Sequence, residues 1–222
     1  MNICVICSAG GSAFLEIVKV CPHISFFVIT DRSCGVEPKC TVLNIPVVRI
    51  EDSDNNSFSQ KVVTVLEKQG EFDFIVMFFS RLVTEPLLSK YILFNIHPSL
   101  LPAFKGMGAL KKAKNNNVRF FGTTIHLAND EMDAGHIIAQ TCQPLVTSAT
   151  LFELEKLSFI QKTVLFLLII DLWENKAIKI EQNKIILKDN LPYTQNLNPS
   201  FINNSYVSFI KDLQQKEGVK FL

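Results

Sequence analysis

Asn95 and His97 stand two positions apart at the end of an apolar segment that predicts a buried strand. Side chains at positions i and i+2 of a strand point to the same side, so both would project together from the strand. An amide donor beside an imidazole can stabilise the negative charge that develops on a carbonyl oxygen during acyl transfer. A histidine after an apolar strand is also commonly a satisfied structural residue, so the pair by itself leaves both roles open.

An acidic segment, residues 129–133, lies between two apolar stretches and carries three carboxylates. A carboxylate in this segment could orient a histidine or relay a proton, or the segment could be a solvated turn. Together with His97, His126 and His136 these carboxylates do not have the spacing of a zinc or calcium site. We therefore expect no metal.

A glycine turn, Gly10-Gly11-Ser12, separates the first apolar segment from a helical pattern. The exposed amides at a helix N-terminus attract anions, so this turn could hold a phosphate. The full dinucleotide-binding fingerprint is absent, and a tight turn without a ligand is the alternative.

A basic stretch runs from Pro86 to Asn129, where there is no Asp or Glu. It could be a solvated helix face, or it could attract a phosphorylated or carboxylated small molecule. The net charge of the whole chain is only +1, and few aromatic residues lie among the lysines, so a nucleic-acid partner is not expected. The six basic residues of the stretch are Lys90, Lys105, Lys111, Lys112, Lys114 and Arg119.

The elements that must position these residues alternate between strands and helices. Strands are predicted at 1–8, 25–30, 41–50, 72–79 and 92–96, and helices at 13–18, 57–69 and 85–91. This order is typical of a doubly wound, mostly parallel sheet with right-handed crossovers. In such a sheet the site lies at the loops that follow the carboxyl ends of the strands.

Beyond Pro98 the patterns change. They predict a helix at 107–115, strands at 119–127 and 136–142, a helix at 148–175 capped by Ser148 or Thr150, a hairpin at 177–188 and a helix at 206–213. We expect residues 1–175 to form a catalytic domain, and residues 176–222 a hairpin and tail that contact substrate or a second subunit. The apolar residues expected to be exposed on this hairpin, as a homodimer interface, are Ile178, Ile180, Ile185, Ile186 and Leu187.

The composition restricts the class of protein. With 222 residues, 48% of them apolar and 19% charged, the chain can bury a large core. No apolar run approaches the roughly 20 residues that cross a bilayer, and the N-terminus has no signal-peptide pattern. The six cysteines are expected to be reduced thiols. We expect a cytoplasmic protein that does not contact membranes.

Several segments, in their order along the chain, resemble the formyltransferases that use N10-formyltetrahydrofolate. The family includes glycinamide ribonucleotide transformylase, sugar-nucleotide N-formyltransferases and the formylating domain that acts on initiator methionyl-tRNA. The resemblance covers about residues 1–180 and implies a Rossmann-like α/β fold with N10-formyltetrahydrofolate as co-substrate. The segments are Asn95–Pro102, Gly106, Gly122–His126 and Asp130–Gly135.

The resemblance also implies roles for individual residues. The catalytic residues would be Asn95, His97 and Asp133. The folate would be bound by Arg81, Leu82, Val83, Asn129, Asp130 and Glu131. The acceptor substrate would be bound by Gly11, Ser12, Lys105, Gly106, Met107 and Lys162, with Gly11 and Ser12 at its phosphate.

Two departures from the glycinamide enzyme bear on the acceptor. Ala13 follows the Gly-Ser pair where that enzyme has Asn, and Lys162 stands where it has a carboxylate that positions the acceptor amine. A cation there would repel a protonated amine. We therefore predict a nucleotide-linked amino sugar of the dTDP-4-amino-4,6-dideoxyglucose type, used for surface polysaccharide. The alternatives are glycinamide ribonucleotide, in purine biosynthesis, and a non-catalytic nucleotide-binding module.

Overall fold

The computed structural model describes residues 1–146, 148–181 and 184–219. Contacts divide the chain into two compact units. The first contains Met1–Asn95 and Leu127–Gly135, and the second contains Ile96–His126 and the residues from His136 onward. The chain therefore leaves the first unit after Asn95 and returns to it for one short segment.

The first unit is built on parallel strands. Each strand pairs with its neighbours in the order β5, β4, β1, β2, β3, and all four pairings are parallel. Its elements are β1 (Asn2–Cys7), α1 (Ser12–Val20), β2 (Ser25–Thr30), α2 (Val36–Val42), β3 (Val47–Arg49), α3 (Asn55–Gln69), β4 (Phe74–Phe78), α4 (Leu87–Lys90) and β5 (Leu93–His97), whose last two residues belong to the second unit.

The second unit contains antiparallel strands and the longest helix. β8 pairs with β7 and β12, β6 pairs with β9, and β10 pairs with β11, all antiparallel. The elements are α5 (Ala109–Asn115), β6 (Phe120–Phe121), β7 (Thr124–Leu127, whose last residue belongs to the first unit), β8 (Ile137–Thr141), β9 (Gln143–Pro144), α6 (Leu151–Glu174), β10 (Ile178–Glu181), β11 (Lys184–Leu187), β12 (Leu197–Asn198) and α7 (Asn204–Glu217).

Helices cover both faces of the parallel strands. On one face Ile29 and Ile75 pack with Phe58 of α3 in a buried cluster. On the other face Phe14 of α1 meets Phe26 edge to face, with ring centroids 5.3 Å apart. Successive strand residues point to opposite faces, so both sides of each strand are apolar and buried. This is the arrangement of a doubly wound sheet.

Helix α6 forms the core of the second unit. Every residue from Thr163 to Leu172 is buried, so the helix is enclosed on all sides over three turns. It begins with a capping box, in which Thr150 accepts from the amide of Glu153 and the Glu153 side chain accepts from the amide of Thr150. In the part of the chain that the structure describes, no helix is long and apolar enough to span a membrane.

The predicted α/β fold with a mostly parallel sheet and a short C-terminal hairpin is confirmed. The predicted strand at 41–50 is wrong in its first half, because Thr41 and Val42 end α2. Pro46 has no amide hydrogen, so it only accepts a bond from Val28, and β3 begins at Val47.

The predicted strand at 119–127 is interrupted at Gly122. A side chain at this position would place its Cβ 1.9 Å from the carbonyl oxygen of Thr141. The close approach of the two backbones separates β6, which pairs with β9, from β7, which pairs with β8. A bend at a glycine that admits another backbone is a recognised use of glycine in strands.

The hairpin residues are less exposed than expected. Ile178 is 5% exposed, so its predicted exposure is wrong, whereas Ile186 is 48% exposed. Ile180, Ile185 and Leu187 are half-buried. Residues 182–183 of the predicted hairpin turn, 181–184, and the end of the predicted tail, 220–222, lie outside the described residues.

A buried carboxylate joins α6 to the segment before α7. Asp171 is fully buried, and its Oδ2 accepts hydrogen bonds from the amides of Ile202 and Asn203. Its Oδ1 accepts from Nδ2 of Asn175 at 2.9 Å. Burial raises the pKa of the Asp171 carboxyl above its usual value. The carboxylate therefore holds the start of α7 in place through two hydrogen bonds, and the third joins it to the end of α6.

Replacing Asp171 tests this attachment. We expect Asp171→Ala to lower the free energy of unfolding by about 2–3 kcal/mol, because the amides of Ile202 and Asn203 lose their acceptor. Amide hydrogen exchange in α7 should rise as well. The matched control is Asp212→Ala, at an exposed position of α7. Equal stability of the two variants in urea denaturation would contradict the role assigned to Asp171.

Candidate active site

A hydrogen bond joins two of the predicted catalytic residues. Nδ2 of Asn95 donates to Oδ1 of Asp133 at 3.0 Å, across 38 positions of the sequence. Asp133 is only 9% exposed, and Asn95 is half-buried. The pair therefore forms a polar contact at the carboxyl end of β5, within the first unit.

The backbone holds both members of this pair. Asn95 lies opposite Met77 in the β4–β5 pairing. The amide of Ala128 donates to the carbonyl of Leu93 at 2.8 Å, which fastens the returning segment alongside β5. Asp133 has a positive φ of 51°. Left-handed backbone is costly for most residues but better tolerated by Asp and Asn.

The pair combines two chemical capacities. The Asn95 amide is a neutral donor, suited to an oxygen that gains negative charge. The Asp133 carboxylate is an acceptor that can take a proton from an amine. Their hydrogen bond keeps both groups oriented, which supplies the donor and the base that acyl transfer to an amine requires.

His97 lies in the second unit and is 7% exposed. Its Nε2 is 2.9 Å from the carbonyl oxygen of Phe104. A carbonyl oxygen can only accept, so the hydrogen of this bond belongs to Nε2. His97 therefore has a fixed ring orientation.

The residues predicted to bind folate differ in exposure. Val83 is buried, whereas Leu82 and Asn129 are half-buried and Asp130 and Glu131 are exposed. Oδ1 of Asn129 accepts from the amide of Glu131 at 3.2 Å, which shapes this turn. All of these residues belong to the first unit, as does the Asn95–Asp133 pair.

The guanidinium of Arg81 is bonded to the loop before α3. It donates to the carbonyls of Asp52 and Ser53 and to Oδ1 of Asn55. Its central carbon also lies 5.1 Å from the centroid of the Phe58 ring, a cation–π contact. These contacts use the charged end of Arg81 to hold residues 52–55, so the guanidinium is already engaged within the protein.

The glycine turn leads directly into α1, whose first amides could hold an anion. Gly11 has a φ of 65°, and a Cβ there would lie 2.4 Å from Cγ2 of Val36, so glycine is required. Ser12 begins α1 and is exposed. Nζ of Lys39 donates to the carbonyl of Gly10 at 3.0 Å, which brings a positive charge to the turn. The sequence patterns do not point to Lys39, because it lies 29 positions away from the turn.

The remaining predicted substrate residues lie in the second unit. Lys105 is exposed, its carbonyl accepts from Nζ of Lys112 at 3.1 Å, and Gly106 is half-buried. Met107 is 71% exposed, and Lys162 is half-buried on α6.

The six basic residues of the stretch do not form one uncompensated patch of charge. Lys90 forms an ion pair with Glu67 of α3, so its charge is partly compensated within the first unit. Lys111, Lys112 and Lys114 all lie on α5 and are exposed. Lys105 precedes α5 and Arg119 follows it, so the positive charge is concentrated on α5 and the segments beside it. Among the described residues, no group of three or more His, Cys, Asp or Glu side chains could hold a metal ion.

Comparisons with known proteins identify relatives of this chain. A model of the formyl transferase family matches residues 1–165. The chloroplastic phosphoribosylglycinamide formyltransferase of Arabidopsis thaliana is 29% identical over 209 residues, which is 82% of this chain and 71% of the relative.

Solved structures give the same result. Glycinamide ribonucleotide transformylase 1 from Symbiobacterium toebii is 25% identical with a TM-score of 0.77, and the match covers 85% of this chain and 94% of that one. Phosphoribosylglycinamide formyltransferase from Bacillus halodurans is 29% identical with a TM-score of 0.69, covering 75% and 91%.

The prediction of a nucleotide-linked amino-sugar acceptor is therefore wrong. The names of these relatives contain phosphoribosylglycinamide or glycinamide ribonucleotide. This is the alternative acceptor of the sequence-based prediction. In the sequence, Ala13 and Lys162 are the two positions that disfavour glycinamide ribonucleotide. Ala13 is a core residue of α1, 6% exposed, and an anion at the turn would bind main-chain amides, whatever this side chain is.

The contacts of Arg81 give a prediction about the loop at 52–55. We expect Arg81→Gln to lower the free energy of unfolding by about 1–3 kcal/mol, because two backbone carbonyls lose a charged donor. Amide exchange at residues 53–57 should rise selectively. Lys68→Gln, at an exposed position in the last turn of α3, is the control and should leave both quantities unchanged. Unaltered exchange in the Arg81 variant would show that the loop does not depend on the guanidinium.

Proposed function

This chain belongs to the formyl transferase family, and we propose from that membership that it formylates the amine of glycinamide ribonucleotide. The formyl donor of the family is N10-formyltetrahydrofolate. The observation that carries the proposal is the similarity to a phosphoribosylglycinamide formyltransferase over 82% of this chain. The Asn95–Asp133 hydrogen bond supports it, since the pair supplies the donor and the base for acyl transfer to an amine.

Asn95 would stabilise charge on the formyl oxygen. When the neutral amine attacks the formyl carbon, that oxygen gains negative charge, and a positioned N–H donor lowers the energy of this state more than that of the ground state. Its hydrogen bond to Asp133 orients the amide before the substrates bind.

Asp133 would act on the proton of the attacking amine. The amine loses a proton as its bond to the formyl carbon forms, and the folate nitrogen gains one as it leaves. A carboxylate that accepts the first proton, directly or through water, can help deliver the second. His97, two residues after Asn95 on β5, would in its protonated form supply a further donor for the oxyanion.

The other predicted site residues would bind the folate or the acceptor. Segment 81–83 and residues Asn129, Asp130 and Glu131 would contact the folate. Gly11 and Ser12 would hold the phosphate of the acceptor, and Lys39 adds charge at that turn. Lys105, Gly106, Met107 and Lys162 would contact the rest of the acceptor.

We also propose roles for the two parts of the chain, an oligomeric state and a cellular location. We assign catalysis to residues 1–175 and contact with a second subunit to residues 176–222, with Ile186 as the exposed apolar residue of the hairpin. A homodimer and a cytoplasmic location accompany this assignment. Sedimentation of the purified chain would detect the dimer.

The proposed function predicts turnover of one acceptor. Purified protein with N10-formyltetrahydrofolate and glycinamide ribonucleotide should release the deformylated folate, measured by its ultraviolet absorbance, and yield formylated acceptor by mass spectrometry. Reactions without acceptor measure hydrolysis of the folate alone. Folate release that does not depend on acceptor would contradict the proposal and indicate a hydrolase.

The catalytic pair predicts the effect of two substitutions. We expect Asn95→Ala and Asp133→Asn each to lower kcat by about 100- to 1000-fold, the usual cost of losing one oriented group of this kind. Asn at position 133 tolerates the positive φ, so the variant should fold.

Asp212→Asn, on the exposed side of α7, is the matched control and should keep full activity. Circular dichroism and thermal unfolding of all three variants establish that they are folded. Activity above about a tenth of wild type in either catalytic variant would contradict the assigned role.

A further inference from the structure

The contact between His97 and Phe104 determines which ring nitrogen can take part in a reaction. We infer that His97 acts through Nδ1, and that Thr124 and Gln140 are the positioning residues that make this so. The inference builds on the proposed function for its catalytic meaning, but the geometry behind it belongs to the second unit alone.

Nε2 of His97 is engaged in a hydrogen bond within the protein. It lies 2.9 Å from the Phe104 carbonyl oxygen, which has no hydrogen to give. The hydrogen therefore stays on Nε2 in both the neutral and the protonated ring. A neutral imidazole carries one N–H, so every proton that His97 gains or loses enters or leaves at Nδ1.

The carbonyl of Phe104 is held in position by a closed loop. The amide of Ser99 donates to the carbonyl of His97 at 2.9 Å, and Oγ of Ser99 donates to the carbonyl of Ala103 at 2.6 Å. Phe104 itself has a φ of 56°, the left-handed region. This turn of the backbone directs its carbonyl back to the ring of His97.

Thr124 fastens this loop to β7. Its Oγ1 donates to the carbonyl of Ser99 at 2.7 Å and accepts from the amide of Leu101 at 3.1 Å. It also accepts from Nε2 of Gln140 at 3.0 Å, so its one donor and both acceptor positions are used. Thr124 is fully buried and Ser99 is 1% exposed.

Gln140 adds a second connection from β8. Its Nε2 also donates to the carbonyl of Leu101 at 3.0 Å. Two neighbouring strands thus hold the loop through side chains that lie outside the motif around His97. Since small displacements of a reacting group are expensive in rate, these side chains set the position of the imidazole.

The first experiment determines the tautomer of His97 directly, from its nitrogen-15 NMR signals. In protein labelled with 15N at its histidines, His97 should show its neutral-form hydrogen on Nε2, with the nitrogen signal of Nδ1 moving on titration. Comparison with His97→Gln assigns the signal among the four histidines. A neutral His97 with its hydrogen on Nδ1 would overturn the inference. This result does not depend on which acceptor is formylated, so it is separate from the test of the proposed function.

Isosteric substitutions provide a kinetic test. The terminal amide of Asn reaches the position of Nδ1, whereas that of Gln reaches the position of Nε2. If Nδ1 performs the chemistry, His97→Asn should keep a kcat about tenfold higher than His97→Gln, because only Asn leaves a donor at the reacting position. The reverse order would contradict the inference.

The positioning role of Thr124 is tested by a matched pair. Thr124→Val keeps the shape and loses the hydroxyl, and we expect kcat about 10- to 100-fold lower with both KM values nearly unchanged. Thr124→Ser keeps the hydroxyl and should restore kcat and the wild-type 15N signal of His97. A Thr124→Val protein with wild-type kcat and tautomer would show that Thr124 does not position the ring. If that variant does not fold, the tautomer and the isosteric pair still decide the inference.

Discussion

The hydrogen bond between Asn95 and Asp133 is the contact on which the rest of the site depends. It joins the end of β5 to a segment that lies 38 positions later, and it buries a carboxylate beside an amide donor. A buried charge without a partner is costly, so this bond satisfies Asp133 as well as orienting it. The β4–β5 pairing holds one partner, and the Ala128–Leu93 hydrogen bond holds the other. The stability of the buried Asp133 carboxylate and the proposed chemistry therefore both require this hydrogen bond.

Several polar groups of this protein act on the protein itself and only indirectly on a ligand. The Arg81 guanidinium donates hydrogen bonds to residues 52–55, and Lys90 forms an ion pair with Glu67. Nε2 of His97 donates its hydrogen bond to the carbonyl of Phe104. The Arg81 and His97 contacts fix the place of a neighbouring backbone or ring, and the Lys90 pair compensates charge at the surface. The number of charges near a site is thus a poor guide to the charge offered to a substrate. The same reasoning explains why the basic stretch is a weak argument for any acceptor.

The sequence predicts well what depends on periodic apolar residues, and poorly what depends on contacts between distant segments. The second strand, 25–30, is found with the predicted bounds, because six consecutive residues suit a strand and the five after Ser25 are buried on both faces. The first half of the predicted third strand, where Thr41 and Val42 end α2, lacks such a pattern, and the break at Gly122 arises from the approach of Thr141. The partnership of Asn95 with Asp133 agrees with the motifs, but Lys39, Gln140 and the carbonyl of Phe104 have no local signal.

The return of residues 127–135 to the first unit has a consequence for the order in which the protein is made. On the ribosome all five parallel strands emerge before Asp133, which follows Asn95 by 38 residues. A nascent chain that has completed β5 therefore still lacks the carboxylate, however well its strands have assembled. Translation that stops between the two residues would release a product with the parallel strands of an enzyme and no means of accepting the proton.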